Sequence, residues 1–220
     1  MAARVPPVTA RHTATGIGRR TLDVLVAATG LALLMPLLVV IALAIKVSSE
    51  GSFLFRQVRL KEGRREFTIL KFRTMRCTQN GPEITAYCDK RITAIGAFLR
   101  RSHIDELPQL VNVLRGDMTL VGPRPETPAL AARYPPECQW VLEHKPGLTG
   151  PTQVRSPELN NIPVDVADTE QWYLKHLVPQ RVEMDATYLD HPTLTATLRV
   201  LVDTARHVIV SCSCHGVQKG

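Results

Sequence analysis

Residues 24 to 45 read VLVAATGLALLMPLLVVIALAI, an apolar run without a single charge. As a helix it would reach roughly 33 Å at 1.5 Å per residue, enough to cross the hydrocarbon of a bilayer. A cleaved signal peptide fits poorly. The run is long for a signal core, starts after some twenty residues and leads into KVSSEGSFLF without a small-residue cleavage site. Its flanks are both basic: Arg4, Arg11, Arg19 and Arg20 lie before it, and Lys46, Arg56, Arg59, Lys61, Arg64 and Arg65 after it. Basic flanks favour the cytoplasmic side, so both ends are drawn there. A straight span would export one of them, whereas a helix bent back on itself keeps both inside. Pro36, near the middle, removes the hydrogen bond to the Ala32 carbonyl and is a candidate hinge. Proline is also tolerated in straight membrane helices, so the residues alone leave span and re-entrant hairpin both open.

The remainder fits one domain of α+β class, mainly α. Residues 1 to 18 are expected to be a disordered basic arm against anionic headgroups, 19 to 47 the membrane-inserted helix, 48 to 210 a cytoplasmic catalytic domain and 211 to 220 a tail. SFLFRQV (52 to 58) and EFTILKF (66 to 72) are β-prone runs around Gly63 and predict a small hairpin carrying Gln57, Arg59 and Lys71. RITAIGAFLRR (91 to 101) and LPQLVNVLRG (107 to 116) carry apolar residues at helical spacing, and helical patterns return over 170 to 210. Between them, Gly122-Pro123-Arg124-Pro125 and Lys145-Pro146-Gly147 mark a loop-rich region.

Charge narrows the partners. The chain has 27 Lys and Arg against 20 Asp and Glu, a formal +7, which suits phosphate or an anionic membrane. Nucleic acid is disfavoured, because no basic stripe is interleaved with base-stacking aromatics. The five cysteines (77, 88, 138, 212 and 214) have no framework spacing and read as reduced thiols, with Cys212-Ser213-Cys214-His215 lacking a second pair of zinc ligands.

The chemistry concentrates at Asp105-Glu106. Pro108 is accepted only in the first turn of a helix, so a helix is expected to begin at about Ile104 to Glu106, with Ser102 as an alternative cap in an S-x-x-D box. A plain capping pair would need no escort of cations, yet Arg100 and Arg101 precede it, Arg115 follows, and Lys71, Arg73 and the stiffened Pro123-Arg124-Pro125 add more. At 4 Å and an effective dielectric of 20, each charge of a pyrophosphate repels a carboxylate by about 4 kcal/mol. A helix terminus offsets only about 0.3 to 1 kcal/mol. The arginines, together with Mg²⁺ held by Glu106 and phosphate oxygens, must supply most of the neutralisation if Asp105 is to act as a nucleophile.

With these residues in view the sequence resembles the bacterial sugar transferase family, the monotopic phosphoglycosyl transferases acting on polyprenyl phosphate. The likeness runs through RRTLDVLVA, FLFRQVRL, FTILKFRTM, ITAIGAFLRRSHIDELPQLVNVLRGDMTLVGPRPE and HKPGLTGPTQV, in family order. The resemblance implies that Asp105 forms a covalent phosphosugar intermediate from a UDP-sugar, that Glu106 helps to place Mg²⁺, and that UMP leaves before polyprenyl (undecaprenyl) phosphate accepts the sugar phosphate. It further implies phosphate-handling roles for Lys71, Arg100 and Arg124, a re-entrant break at Pro36, and a place on the cytoplasmic face of the bacterial inner membrane, at the first membrane step of glycoconjugate or exopolysaccharide synthesis. The chain departs from the family in having Met35 where many relatives carry Ser, His103 and Ile104 where leucine is commoner, and in lacking the glycine that relatives often carry near Lys61, although Gly63 follows two residues on. His103, beside a carboxylate nucleophile with no proton to lose, is expected to be positional. Larger relatives precede this module with further membrane helices and another soluble domain, so the chain reads as the minimal catalytic unit. A membrane-anchored basic binding protein would account for the charge but not for Asp105-Glu106 amid these cations.

Overall fold

Hydropathy dictates the first element. In the computed structural model, which describes residues 16–76, 91–155 and 168–213, α1 spans Gly16–Ser48 and is helical through Pro36. It is the one helix among the described residues long and apolar enough to cross a membrane. Leu25, Val26, Leu33, Leu37, Val40 and Leu43 are exposed, as a segment solvated by lipid would require. One narrow stripe is protected instead: Asp23, Ala27, Ile41 and Ile45 are buried, a spacing that keeps them on a single helix face.

Both ends of that stripe are fastened to the same body. At the N-terminal end Arg20 donates to the carbonyls of Val113 (2.6 Å) and Leu114 (2.8 Å), and Arg19 to that of Val121 (3.1 Å). Asp23 accepts from the Leu120 amide (2.9 Å) and the Thr119 hydroxyl (2.8 Å). At the other end Ile41 and Ile45 pack with Phe72 and Leu99.

The expected hairpin is present: β1 (Leu54–Lys61) pairs antiparallel with β2 (Arg65–Phe72), joined by the 3-10 turn Glu62–Arg64 in which Gly63 takes φ 67°. Helix α2 covers Ala94–Arg101 and is capped by Thr93, whose hydroxyl accepts from the Gly96 amide at 2.9 Å. Helix α3 covers Gln109–Arg115 and stops where Gly116 adopts the left-handed conformation. Two expectations at the junction are corrected. Ile104–Glu106 is a separate 3-10 turn rather than the start of α3, because Pro108 occupies the N-cap of the helix. Ser102 is the C-cap of α2 and its hydroxyl donates back to the carbonyls of Phe98 and Leu99, so no S-x-x-D box forms.

A second sheet was not legible in the sequence: β3 (Thr119–Val121) and β4 (Gly147–Thr149) pair in parallel. Their approach is so close that a Cβ on Gly147 would collide with the Gly122 backbone. Around it lie α4 (Pro128–Ala132), the 3-10 helix Pro136–Glu143, α5 (Pro151–Arg155), α6 (Thr169–Trp172) running through a π-turn (Tyr173–Leu177) into α7 (Val178–Asp190), and α8 (Leu194–Ser213). The class is α+β, mainly α. The basic arm before residue 16 and the Cys214-His215 end lie outside the described residues, as do Cys77 and Cys88; Cys138 is a buried free thiol.

Candidate active site

The chain reverses at His103, a non-glycine residue in the left-handed region (φ 55°), and the 3-10 turn that follows presents Asp105 and Glu106 together. Asp105 is 9% exposed. Burial and the neighbouring Glu106 push its carboxyl up to about 6, against the pull of Lys71 and Arg100. Glu106 goes the other way. Burial would raise it, but Lys71 and Arg124 outweigh burial and hold it at about 2. Two adjacent carboxylates are thereby split into one that ionises near neutrality and one that is always charged, the separation by environment that lets a pair play different roles.

Lys71 Nζ donates to Glu106 Oε1 at 2.6 Å. That contact depends on how β2 is held against α3. Fully buried Asn112 accepts from the Leu70 amide (3.1 Å) and donates to the Thr68 carbonyl (2.8 Å), which fixes Lys71 opposite the 3-10 turn. Arg100 reaches in from α2, oriented by bonds from Nε to the Thr74 hydroxyl (2.8 Å) and from Nη2 to Met75 sulfur (3.2 Å). Arg124 comes from a third segment. Its loop is stitched to β4 by the Gly147 amide on the Pro123 carbonyl (2.8 Å) and the Gly122 amide on the Thr149 carbonyl (2.9 Å).

Arg59 props the same loop, donating to the Pro125 carbonyl (3.1 Å), while Gln57 accepts from Arg59 at 2.7 Å and so steadies the prop. Pro123 and Pro125 line the two halves of the cleft. Arg73 is placed elsewhere. It is buried and donates to the carbonyls of Glu50 (2.6 Å) and Ser49 (2.8 Å), tying down the segment that leaves α1 rather than joining the acid pair. Pro36 lies far along α1 from every one of these groups in sequence and within unbroken helix.

The cleft has two halves that meet at Arg124 and Gln153. The half beside the acid pair is lined by Lys71, Glu106, Gln109 and Arg59. The other is lined by Tyr134, Thr152, Arg181 and Asp185. Behind the second half, the Tyr173 hydroxyl donates to buried Glu126 and accepts from Arg181 (2.8 Å), and Thr152 donates to Asp185 (2.8 Å). Sequence reasoning missed these residues. The only signal was the four-residue spacing of Arg181 and Asp185, which puts them on one face of a helix.

A divalent cation fits the donor set. Lys71 occupies Oε1 of Glu106, which leaves Oε2 and the Asp105 oxygens to act as hard donors. No cluster of three metal-ligating side chains occurs among the described residues. Magnesium in phosphate chemistry is commonly held this way, by one or two carboxylates with the substrate's phosphates completing the shell.

Three relatives frame this geometry. The chain is 40% identical over 203 residues to the UDP-glucose:undecaprenyl-phosphate glucose-1-phosphate transferase of Caulobacter vibrioides, covering 90% of this chain and 72% of that protein. It is 32% identical over 196 residues to the UDP-N-acetylgalactosamine-undecaprenyl-phosphate N-acetylgalactosaminephosphotransferase of Aeromonas hydrophila, covering 87% of this chain but 43% of the relative. It is 40% identical over 146 residues to the exopolysaccharide production protein PSS of Rhizobium leguminosarum, covering 62% of this chain and 73% of that protein. Residues 14–211 match the family model for bacterial sugar transferases, and with nearly the whole described chain inside that match the protein belongs to the bacterial sugar transferase family.

Proposed function

We propose that the chain is a phosphoglycosyl transferase that moves a sugar 1-phosphate from a UDP-sugar to a polyprenyl (undecaprenyl) phosphate at the cytoplasmic face of the bacterial inner membrane. The observation that carries this reading is the convergence of Lys71, Arg100 and Arg124, from three separate segments, on buried Asp105 and its half-buried neighbour Glu106. The names of the relatives supply the substrate classes.

In the first step an Asp105 carboxylate oxygen bonds to the phosphorus that carries the sugar, and the bond to the bridging oxygen breaks, releasing UMP. In the second, an oxygen of the polyprenyl phosphate attacks the same phosphorus and the Asp105 carboxylate leaves, giving polyprenyl diphosphate sugar. Asp105 needs no general base, since about nine-tenths of a carboxyl with a pKa of about 6 is ionised at pH 7. Arg124, at the meeting of the two cleft halves, suits the pyrophosphate, and Lys71 and Arg100 offset charge as UMP departs. Mg²⁺ held by Glu106 and phosphate oxygens would add Lewis-acid stabilisation of the leaving phosphate.

The helix is read as re-entrant. Fastening Arg20 and Asp23 at one end and Ile45 at the other to one catalytic body supports this, because a helix with ends on opposite faces of the bilayer could not keep all these contacts. The experiment is UMP release from a panel of UDP-sugars with polyprenyl phosphate and Mg²⁺. Release with at least one donor, lost in Asp105→Asn, is expected; no release from folded wild-type protein across the panel contradicts the reading.

A further inference from the structure

Cations dominate the cleft, but two neutral groups in it have no partner. Gln109 is 2% exposed, and its Nε2 is buried without a hydrogen-bond acceptor. Oε1 of Gln153 is buried without a donor. They come from different elements, the first turn of α3 and the short helix α5, yet line the same half of the cleft, with Glu106, Lys71 and Arg124. A buried amide left unpaired costs free energy, and native structures keep few of them, so two such amides lining one half of a cleft beside the acid pair point to a ligand that completes them.

The chemistry of that ligand follows from the groups. Phosphate oxygens only accept, and Lys71, Arg100, Arg124 and Arg59 already offer charged donors. A site holding one orphan donor and one orphan acceptor instead matches hydroxyls, each of which both donates and accepts. Position agrees. The transferred phosphorus must lie against Asp105, so the sugar it carries lies near the half of the cleft lined by Glu106, the next residue in the chain.

We infer that Gln109 and Gln153 read the hydroxyls of the hexose and set which UDP-sugar is used. This rests on the transferase reading and deepens it. A site built to bond a hydroxyl discriminates strongly against donors that lack or misplace it, because the protein's own polar groups are then left unpaired.

The test uses the full-length wild-type protein, Gln109→Met and Gln153→Met with UDP-glucose, UDP-galactose and UDP-N-acetylgalactosamine, which share their nucleotide and pyrophosphate. The expected result is a fall of ~10-fold or more in the ratio of kcat/KM between preferred and disfavoured donors. Inhibition by UMP, which has no sugar, is expected to be unchanged. Gln109→Met is also expected to melt at or above the wild-type temperature, since an orphan amide is replaced by an apolar chain of similar shape; a residue that merely supports the fold would lower it. Gln153→Met, on a separate element, carries the test by itself should Gln109→Met not fold. Unchanged donor ratios in the folded variants overturn the inference, as does an even loss across donors with weakened UMP inhibition. Wild-type protein that releases UMP from no donor removes the transferase reading itself, and with it this assignment.

Discussion

Removing the charge of Lys71 while keeping most of its length, as in Lys71→Met, strikes the interaction that separates the two carboxylates. Glu106 is held at about 2 from an ordinary 4.5, a displacement of about 3 kcal/mol at 1.36 kcal/mol per unit. Arg124 contributes part of it and about a fifth of each side chain is exposed, so the share of Lys71 is about 2 kcal/mol. Because the folded value is depressed, this stability is fully present above pH 4.5 and is lost as pH falls towards 2. The variant should therefore be less stable than wild type at pH 7 and converge with it as acid is added. A double-mutant cycle with Glu106→Gln should return a coupling of about 2 kcal/mol in denaturant unfolding. Lys71 also lowers Asp105, so its loss moves the acid limb of kcat/KM, expected near pH 6 in wild type, to higher pH. A coupling below about 0.5 kcal/mol, with an unmoved acid limb, would refute the electrostatic account of the pair.

Other consequences follow from the same contacts. Asp105→Asn should be inactive yet more stable at pH 7.5, by up to about 3 kcal/mol, because a carboxyl raised from 3.8 to about 6 costs the folded state stability that builds as pH rises through that window and is complete above it; melting curves of the two proteins should converge near pH 4. Asn112→Ala strands the Leu70 amide and the Thr68 carbonyl and should cost about 2 to 4 kcal/mol by chemical denaturation, with activity falling as Lys71 loses its register. His103→Asn, which tolerates the left-handed backbone, should keep kcat within a few-fold, whereas loss of a general base would cost about 10² or more. Cysteines introduced at His12 and Arg56 should resist a membrane-impermeant reagent added outside intact cells; external labelling at either position would exclude the re-entrant arrangement.

Local patterns carried much of this architecture. The hairpin was legible because β-prone runs flank Gly63, and α3 because apolar spacing ends at Gly116. The acid pair stood out through its cations, yet which cations reach it is a matter of tertiary distance: Lys71 does so through Asn112, while Arg73, two residues on, turns away to the Ser49 and Glu50 carbonyls. Arg20 stood out in the sequence only as part of a basic flank, and its bonds to the Val113 and Leu114 carbonyls, which cap α3, had no local signature. The parallel β3–β4 pair and the orphan amides of Gln109 and Gln153 had no local signature, since three-residue strands and unpaired atoms exist only once distant segments meet.

The most direct measurement is intact-protein and peptide mass spectrometry after the enzyme meets a UDP-sugar and Mg²⁺ without polyprenyl phosphate. The account predicts one equivalent of UMP and a phosphosugar adduct on Asp105, discharged when the lipid is added. Sugar transfer that proceeds only with both substrates present, leaving Asp105 unmodified at every stage, would contradict it.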